Sequence, residues 1–321
     1  MLSALAVVLV LRVWDPWPIE TIRLKYFDAL LTSKESVESQ SISLYNIDEA
    51  ALQQGGQWPW PRQQLAELNR SFFEAGVGAI VYSALFPEED RFGGDDEFAA
   101  SMLQLPTFLS AVATTDTDRQ EGWHIGVATL GPVNENAVNY PGILPNVPTL
   151  QDSATGTGIV NTAPEVDGLV RRVPMIVRVG ESLYPALGLD VLRGLAGDPS
   201  YQVRAGESGI QAVRVPSFDT VNTDSVGRVW IDWSTRFSQE PLAGTIVFVG
   251  VTAAGVTTMV PSPQGLMYPH QIQAALLETL LNGTAPLRPN WALAAEMALI
   301  LGLGILAIAL TQFLRVMWVP A

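Results

Sequence analysis

Residues 42–86 read ISLYNIDEAALQQGGQWPWPRQQLAELNRSFFEAGVGAIVYSALF, and this stretch decides the fold. Residues 42–48 are a short apolar run ending in turn chemistry, the pattern of a buried strand. Residues 62–76 place Leu65, Leu68, Phe72 and Phe73 at helical spacing, closed by Gly76. Residues 79–86 return to an apolar strand pattern. A strand, a helix and a strand in succession need a crossover connection, which makes the two strands parallel.

The same alternation continues in both directions from this unit. A helix opened by acids at 95–105 precedes strands at 107–112 and 125–130. The second half offers a strand at 171–180, a helix at 182–197 and a hairpin made from 209–220 and 227–233. A buried strand at 244–255 then empties into a small-residue loop, and an amphipathic helix spans 269–283. These readings predict an α/β fold: one large domain with a mostly parallel or mixed sheet covered by helices.

The ends are different in kind. The chain has 321 residues, 48% hydrophobic and only 16% charged, and much of the apolar excess is terminal. Residues 292–310 carry one charge, Glu296, in a run of membrane-spanning length flanked by Trp291 and Trp318, with Arg315 following. Its GLGILA stretch lacks the framing strand and acid of a dinucleotide site and reads as small residues for helix packing. At the other end MLSALAVVLVLRVW is apolar for about a dozen residues, short of the roughly 20 that a helix needs to span a bilayer. The expected division is a partial membrane helix at 1–14, an extracytoplasmic domain at 23–290 and a transmembrane helix at 291–314, with both ends expected to be incomplete. A location in the inner (plasma) membrane follows.

A formal net charge of −14, with Lys25 and Lys34 the only lysines, would repel nucleic acid and an anionic leaflet. Without cysteine there is no disulfide, thiolate or Cys-ligated metal chemistry. Neither His124 nor His270 has metal-type spacing to a second ligand. No Walker loop, HExxH or GxSxG occurs, so the sequence offers no catalytic residue, no metal site and no cofactor site. Open α/β sheets bind ligands beyond the carboxyl ends of their strands. That rule gathers Asp48, the loop after Phe86 and Thr252–Gly255 at one rim.

Two further stretches stand out. In WPWPR, Pro59 and Pro61 fix φ and disfavour helix in the preceding Trp58 and Trp60, and Pro61 suits the first turn of the helix that begins near Arg62. The rings either seal the end of the domain or form an aromatic platform for a small molecule. In EVDGLVRR, Asp167–Gly168 reads as a turn, and strand alternation sends Arg171 and Arg172 to opposite faces. One is expected to be solvated. The inward one needs an internal acid, Asp48 or Asp167, or a ligand carboxylate. Candidate ligand-binding residues are therefore Asp48, Glu49, Trp58, Trp60, Arg62, Ser83, Asp167, Arg171 and Thr252.

The order of YFDALL, NIDEAAL, GGQWPWPR, VDGLVRR, LYPALGLDVL and VFVGVTA resembles the CHASE family of extracellular sensor domains, type two, from Tyr26 to the C-terminal helix. The resemblance implies a bacterial receptor domain held between membrane helices. It also implies a homodimer through those helices, an unknown small-molecule ligand, the lipid bilayer as partner, and a cytoplasmic cyclase or kinase effector. Against the family pattern, Ser83 and Thr258 stand where aspartate is expected, and Gln273 where histidine is. Three presumed rim positions have changed together, so a site of relatives would be partly lost here. A ligand sensor, an enzyme and a structural or adaptor protein are the competing functions, and the enzyme lacks any acid/base pair.

Overall fold

The computed structural model describes residues 2–117, 122–123, 126–288 and 291–317. It divides into two units, Leu31–Pro286 and a second made of the two terminal segments.

The larger unit is built on a seven-stranded sheet. Its strands are β1 (Val37–Ile47), β2 (Ala79–Tyr82), β3 (Thr107–Thr114), β6 (Gly142–Leu144), β7 (Gly156–Ile159), β15 (Thr235–Ser238) and β16 (Ile246–Val251). The spatial order is β15-β1-β16-β2-β3, with β7 and β6 both on β3. Every pairing is parallel except β3 with β6. Helices α3 (Glu49–Gly55), α4 (Arg62–Glu74), α5 (Asp95–Met102), the short α6 (Val133–Asn136), α7 (Pro148–Ser153), α8 (Leu187–Ala196) and α9 (Pro269–Leu281) complete the helical part of the unit.

All six residues of β16 are buried, as a parallel strand covered on both faces requires. Val247, Val249 and Val251 join one core with Leu65 and Phe72 of α4, Phe98 of α5 and Leu150 of α7. Alternation sends Phe248 and Gly250 to the other face, where α9 lies against β1 and β16. Polar side chains tie the first face together. The Tyr82 hydroxyl donates to Asn69 Oδ1 at 2.7 Å, and Asn69 Nδ2 donates to Ser101 Oγ at 2.9 Å.

Smaller sheets correct several expectations. β4 (Gly126–Leu130) pairs in parallel with β11 (Ser200–Gly206), outside the large sheet. β12 (Gly209–Arg214) takes β11 and β13 (Val221–Asn222) as neighbours, whereas β14 (Arg228–Trp230) pairs with β8 (Arg172–Pro174). The expected hairpin between 209–220 and 227–233 therefore does not form, because β12 pairs with the strands next to it in the chain and β14 with the distant β8. Residues 182–185 are not the start of a helix: they form β10 (Ser182–Pro185), antiparallel to β9 (Ile176–Val179), which also takes β5 (Val138–Tyr140). The helix waits until Leu187. A final hairpin joins β17 (Val260–Ser262) to β18 (Gly265–Met267). β2 stops at Tyr82 rather than running to 86, since the chain turns there and Phe86 N–H donates to Asn146 Oδ1 at 3.1 Å.

α9 is not amphipathic: every residue from Ile272 to Leu280 is buried. Each of the buried polar side chains in that stretch accepts a hydrogen bond, although Gln273 Nε2 has no partner among the described residues. Ser39 Oγ donates to Glu278 Oε2 at 2.9 Å, Asp232 N–H donates to Thr279 Oγ1 at 3.0 Å, and Gly188 N–H donates to Gln273 Oε1 at 3.3 Å.

In the terminal unit, Ala292–Gln312 of α10 (Ala292–Met317) is the one helix among the described residues long and apolar enough to cross a membrane by itself. α1 (Leu2–Trp14) reaches that length only together with α2 (Trp17–Thr32), from which it is bent by 73°. The two flanking spans expected from the sequence thus reduce to one unaided span. Leu5 of α1 packs at Gly304 of α10, and Arg12 pairs with Glu296, so the two helices run in opposite directions. The lone acid of the apolar run is thereby neutralised, by Arg12 and by Arg288 at 2.9 Å.

Trp60 is buried in the core below α4, with Nε1–H donating to Gly56 C=O at 2.9 Å, while Trp58 is only half-buried at its edge, 6.1 Å away. Trp60→Ala should cost about 3–5 kcal/mol in chemical unfolding, and Trp58→Ala less than half of that. Equal costs would contradict this packing.

Candidate functional site

β1 and β16 run in register, Asn46 opposite Gly250 and Ile47 opposite Val251, so their carboxyl ends open side by side. Asp48 caps α3 by accepting from Ala51 N–H at 2.9 Å, its carboxylate otherwise exposed. Next to it Glu49 Oε1 accepts from Ala254 N–H at 2.7 Å, pinning the loop that leaves β16. Thr252 N–H donates to Ile47 C=O at 2.9 Å, and Thr252 C=O accepts from the Tyr268 hydroxyl at 2.7 Å. Asp48, Glu49 and Thr252 are therefore one cluster. At the neighbouring strand end Ser83 N–H donates to Val249 C=O at 2.9 Å, and its buried Oγ has no partner among the described residues.

Beneath the cluster lies a polar row that sequence reading missed. Gln239 is exposed, and its Nε2 donates to Phe237 C=O at 3.1 Å. Its Oε1 is thus left to accept from Asn46 Nδ2 at 2.5 Å. Asn46 Oδ1 then faces His270 Nε2 at 2.9 Å, which assigns the ring proton to Nε2. The imidazole stacks on Tyr268, with centroids 6.0 Å apart, and sits over Gly250, where an added Cβ would lie 2.1 Å from Nδ1. Only glycine allows that approach. Burial without an acidic partner pushes the His270 pKa down to about 4.

The other candidates are occupied elsewhere. Arg62 is buried, 4.5 Å over the Phe86 ring and 3.3 Å from Asp95, with Nη2 donating to Glu88 C=O at 3.3 Å. Trp58 and Trp60 face the same core rather than the strand ends. Asp167 and Arg171 form a two-toothed pair, Nη1 to Oδ1 at 2.8 Å and Nη2 to Oδ2 at 2.7 Å, with Arg171 wholly buried. The inward arginine has thus taken the internal acid four residues back. Its donated bonds hold the Asp167 carboxyl below its ordinary range. Arg172 is not solvated as expected: it pairs with Glu165 and with Asp224 at 2.9 Å and lies 4.8 Å over Trp230. Gln273 is wholly buried against α8 and so is not a rim residue, whereas Thr258 is exposed. Among the described residues no group of three or more His, Asp or Glu could hold a metal ion, and His124 and Trp318 lie outside them.

His270 makes folding pH-dependent in a defined window. Its ordinary value is 6.5 and its folded value about 4, so between these the unfolded chain binds the extra proton. Stability should fall as pH drops from 6.5 to 4, by at most about 3 kcal/mol, and this contribution should level off below that. His270→Asn should flatten that part of the profile in denaturant titrations. A variant with the same slope as the parent would contradict a buried neutral imidazole.

Comparisons with curated proteins and with solved structures give no significant match. The family model described as the CHASE2 domain matches residues 3–309, nearly the whole chain. With its parallel sheet, its polar rim and a match of that extent, the chain belongs to the CHASE2 family of sensory domains.

Proposed function

We propose that this chain is the sensory part of a membrane-anchored bacterial signalling receptor. Residues of about 23–290 lie outside the cytoplasm and α10 crosses the inner membrane. The output is a cyclase or kinase joined to it in a longer protein. The observation that carries this reading is the course of α9. Its first turn contributes Tyr268 and His270 to the rim, and α10 is the next helix along the chain. A ligand touching Asp48, Glu49 or Thr252 would act on the segment that seats this helix. A coupling of about 1–3 kcal/mol would be enough to bias a signalling equilibrium. A homodimer through the membrane helices belongs to the same reading. Trp58, Trp60, Arg62, Asp167 and Arg171 serve it as structure, with Ser83 as a further rim contact.

A structural or adaptor role is the alternative, and a reporter separates the two. An adenylate cyclase catalytic domain fused after Ala321 should change its basal output about fivefold or more when Glu49→Ala or Tyr268→Phe is introduced. An active cyclase indifferent to both variants would favour the adaptor. Compartment reporters placed after Gly283 and after Arg315 should give opposite signals, and identical signals would overturn the topology.

A further inference from the structure

A concavity of about 570 Å³ in the larger unit lies near the start of β7. It falls within the roughly 300–1,000 Å³ typical of small-ligand sites. Trp123, Asn146, Gln151, Asp152 and Arg193 are among its lining residues, with the wholly buried Thr157 behind them.

The walls are held in place from outside the cavity. Asn146 Oδ1 accepts from Phe86 N–H at 3.1 Å, and its Nδ2 donates to Ser110 C=O at 3.1 Å, which fixes the amide. The same Nδ2 approaches Gln151 Oε1 at 3.4 Å, and Gln151 Nε2 donates to Thr157 Oγ1 at 2.7 Å. Trp123 packs edge-on against Tyr184, with centroids 4.8 Å apart. A ligand would therefore meet a wall whose ordering cost is already met.

The charge pattern selects the ligand class. Arg193 Nε donates to the wholly buried Asp190 at 2.7 Å, and Nη1 donates to Asp198 C=O at 2.8 Å, so its charge is balanced within the protein. Gly156 permits this, because a Cβ there would lie 2.1 Å from Asp190 Oδ2. Among the described residues, an anion finds no uncompensated cation on this wall. An organic cation would meet the guanidinium on the same wall as the Asp152 carboxylate. What remains is an indole beside amide, carboxylate and guanidinium groups that offer both donors and acceptors. Ring C–H groups suit the first, and hydroxyls suit the rest.

We propose that this cavity binds a neutral saccharide, between the Trp123 indole and the Asn146–Gln151 amides, with the buried Thr157 hydroxyl holding Gln151 from behind. The inference rests on the sensory reading only for the consequence of binding. The test uses the full chain in lipid nanodiscs, titrated calorimetrically with glucose, maltose and myo-inositol, and with glutamate and choline as the anionic and cationic alternatives. At least one of the neutral polyols should bind saturably at millimolar or lower concentration. Trp123→Ala and Gln151→Ala should each weaken it about tenfold or more. Should Trp123→Ala fail to fold, Gln151→Ala decides, since it removes only hydrogen bonds at the wall. No saturable polyol binding, binding of glutamate or choline alone, or binding that survives Gln151→Ala would each overturn the proposal. Polyol binding that moves no output of the fused cyclase would leave the site standing and count against the sensory reading.

Discussion

The rest of this structure depends on the seating of α9 against β1 and β16. A helix buried along its whole central length would ordinarily be apolar throughout. This one carries Gln273, Glu278 and Thr279, and each is answered by a group on a different element: Gly188 in α8, Ser39 in β1 and Asp232 after β14. Buried polar groups cost free energy unless paired, so these bonds select one register of the helix over its neighbours. At its first turn the selection is steric as well. His270 occupies the space that only a glycine at position 250 leaves open.

That seat also fixes the rim. Asn46, which receives His270, lies two residues before Asp48, and Tyr268 holds the carbonyl of Thr252. Glu49 pins the far side of the same loop through Ala254. The rim loops and the first turn of α9 therefore share a set of hydrogen bonds. The ion pairs of Arg62 and Arg171 lie in the surrounding framework, where their charges are matched by Asp95 and Asp167.

Local periodicity made much of this fold legible. The unit at 42–82 and the strand at 246–251 follow from hydrophobic spacing alone, whereas the prolines marked the turn at Trp58 and Trp60 without telling which ring is buried. Residues 182–185 misled because Leu183 and Tyr184 continue smoothly into the helical pattern beginning at Leu187. The strand at 209–214 was paired with the wrong neighbour, since 200–206 was not read as a strand, and the partner of 228–230 was illegible because it lies more than 50 residues back. The rim positions of Asp48 and Thr252 could be read from the strand-end rule. The role of His270 could not, for its partner Asn46 stands 224 residues away. Gln273 was misplaced for the related reason that the buried face of α9 wraps all the way around the helix.

The most direct measurement is hydrogen exchange on Gly250→Ala in the full chain. An added methyl would displace the His270 ring. Amides of α9 and of residues 252–256 should then exchange markedly faster, while α4 and α5 keep their protection. Unchanged protection of α9 in a folded Gly250→Ala protein would contradict the claim that this contact seats the helix and, through it, the rim.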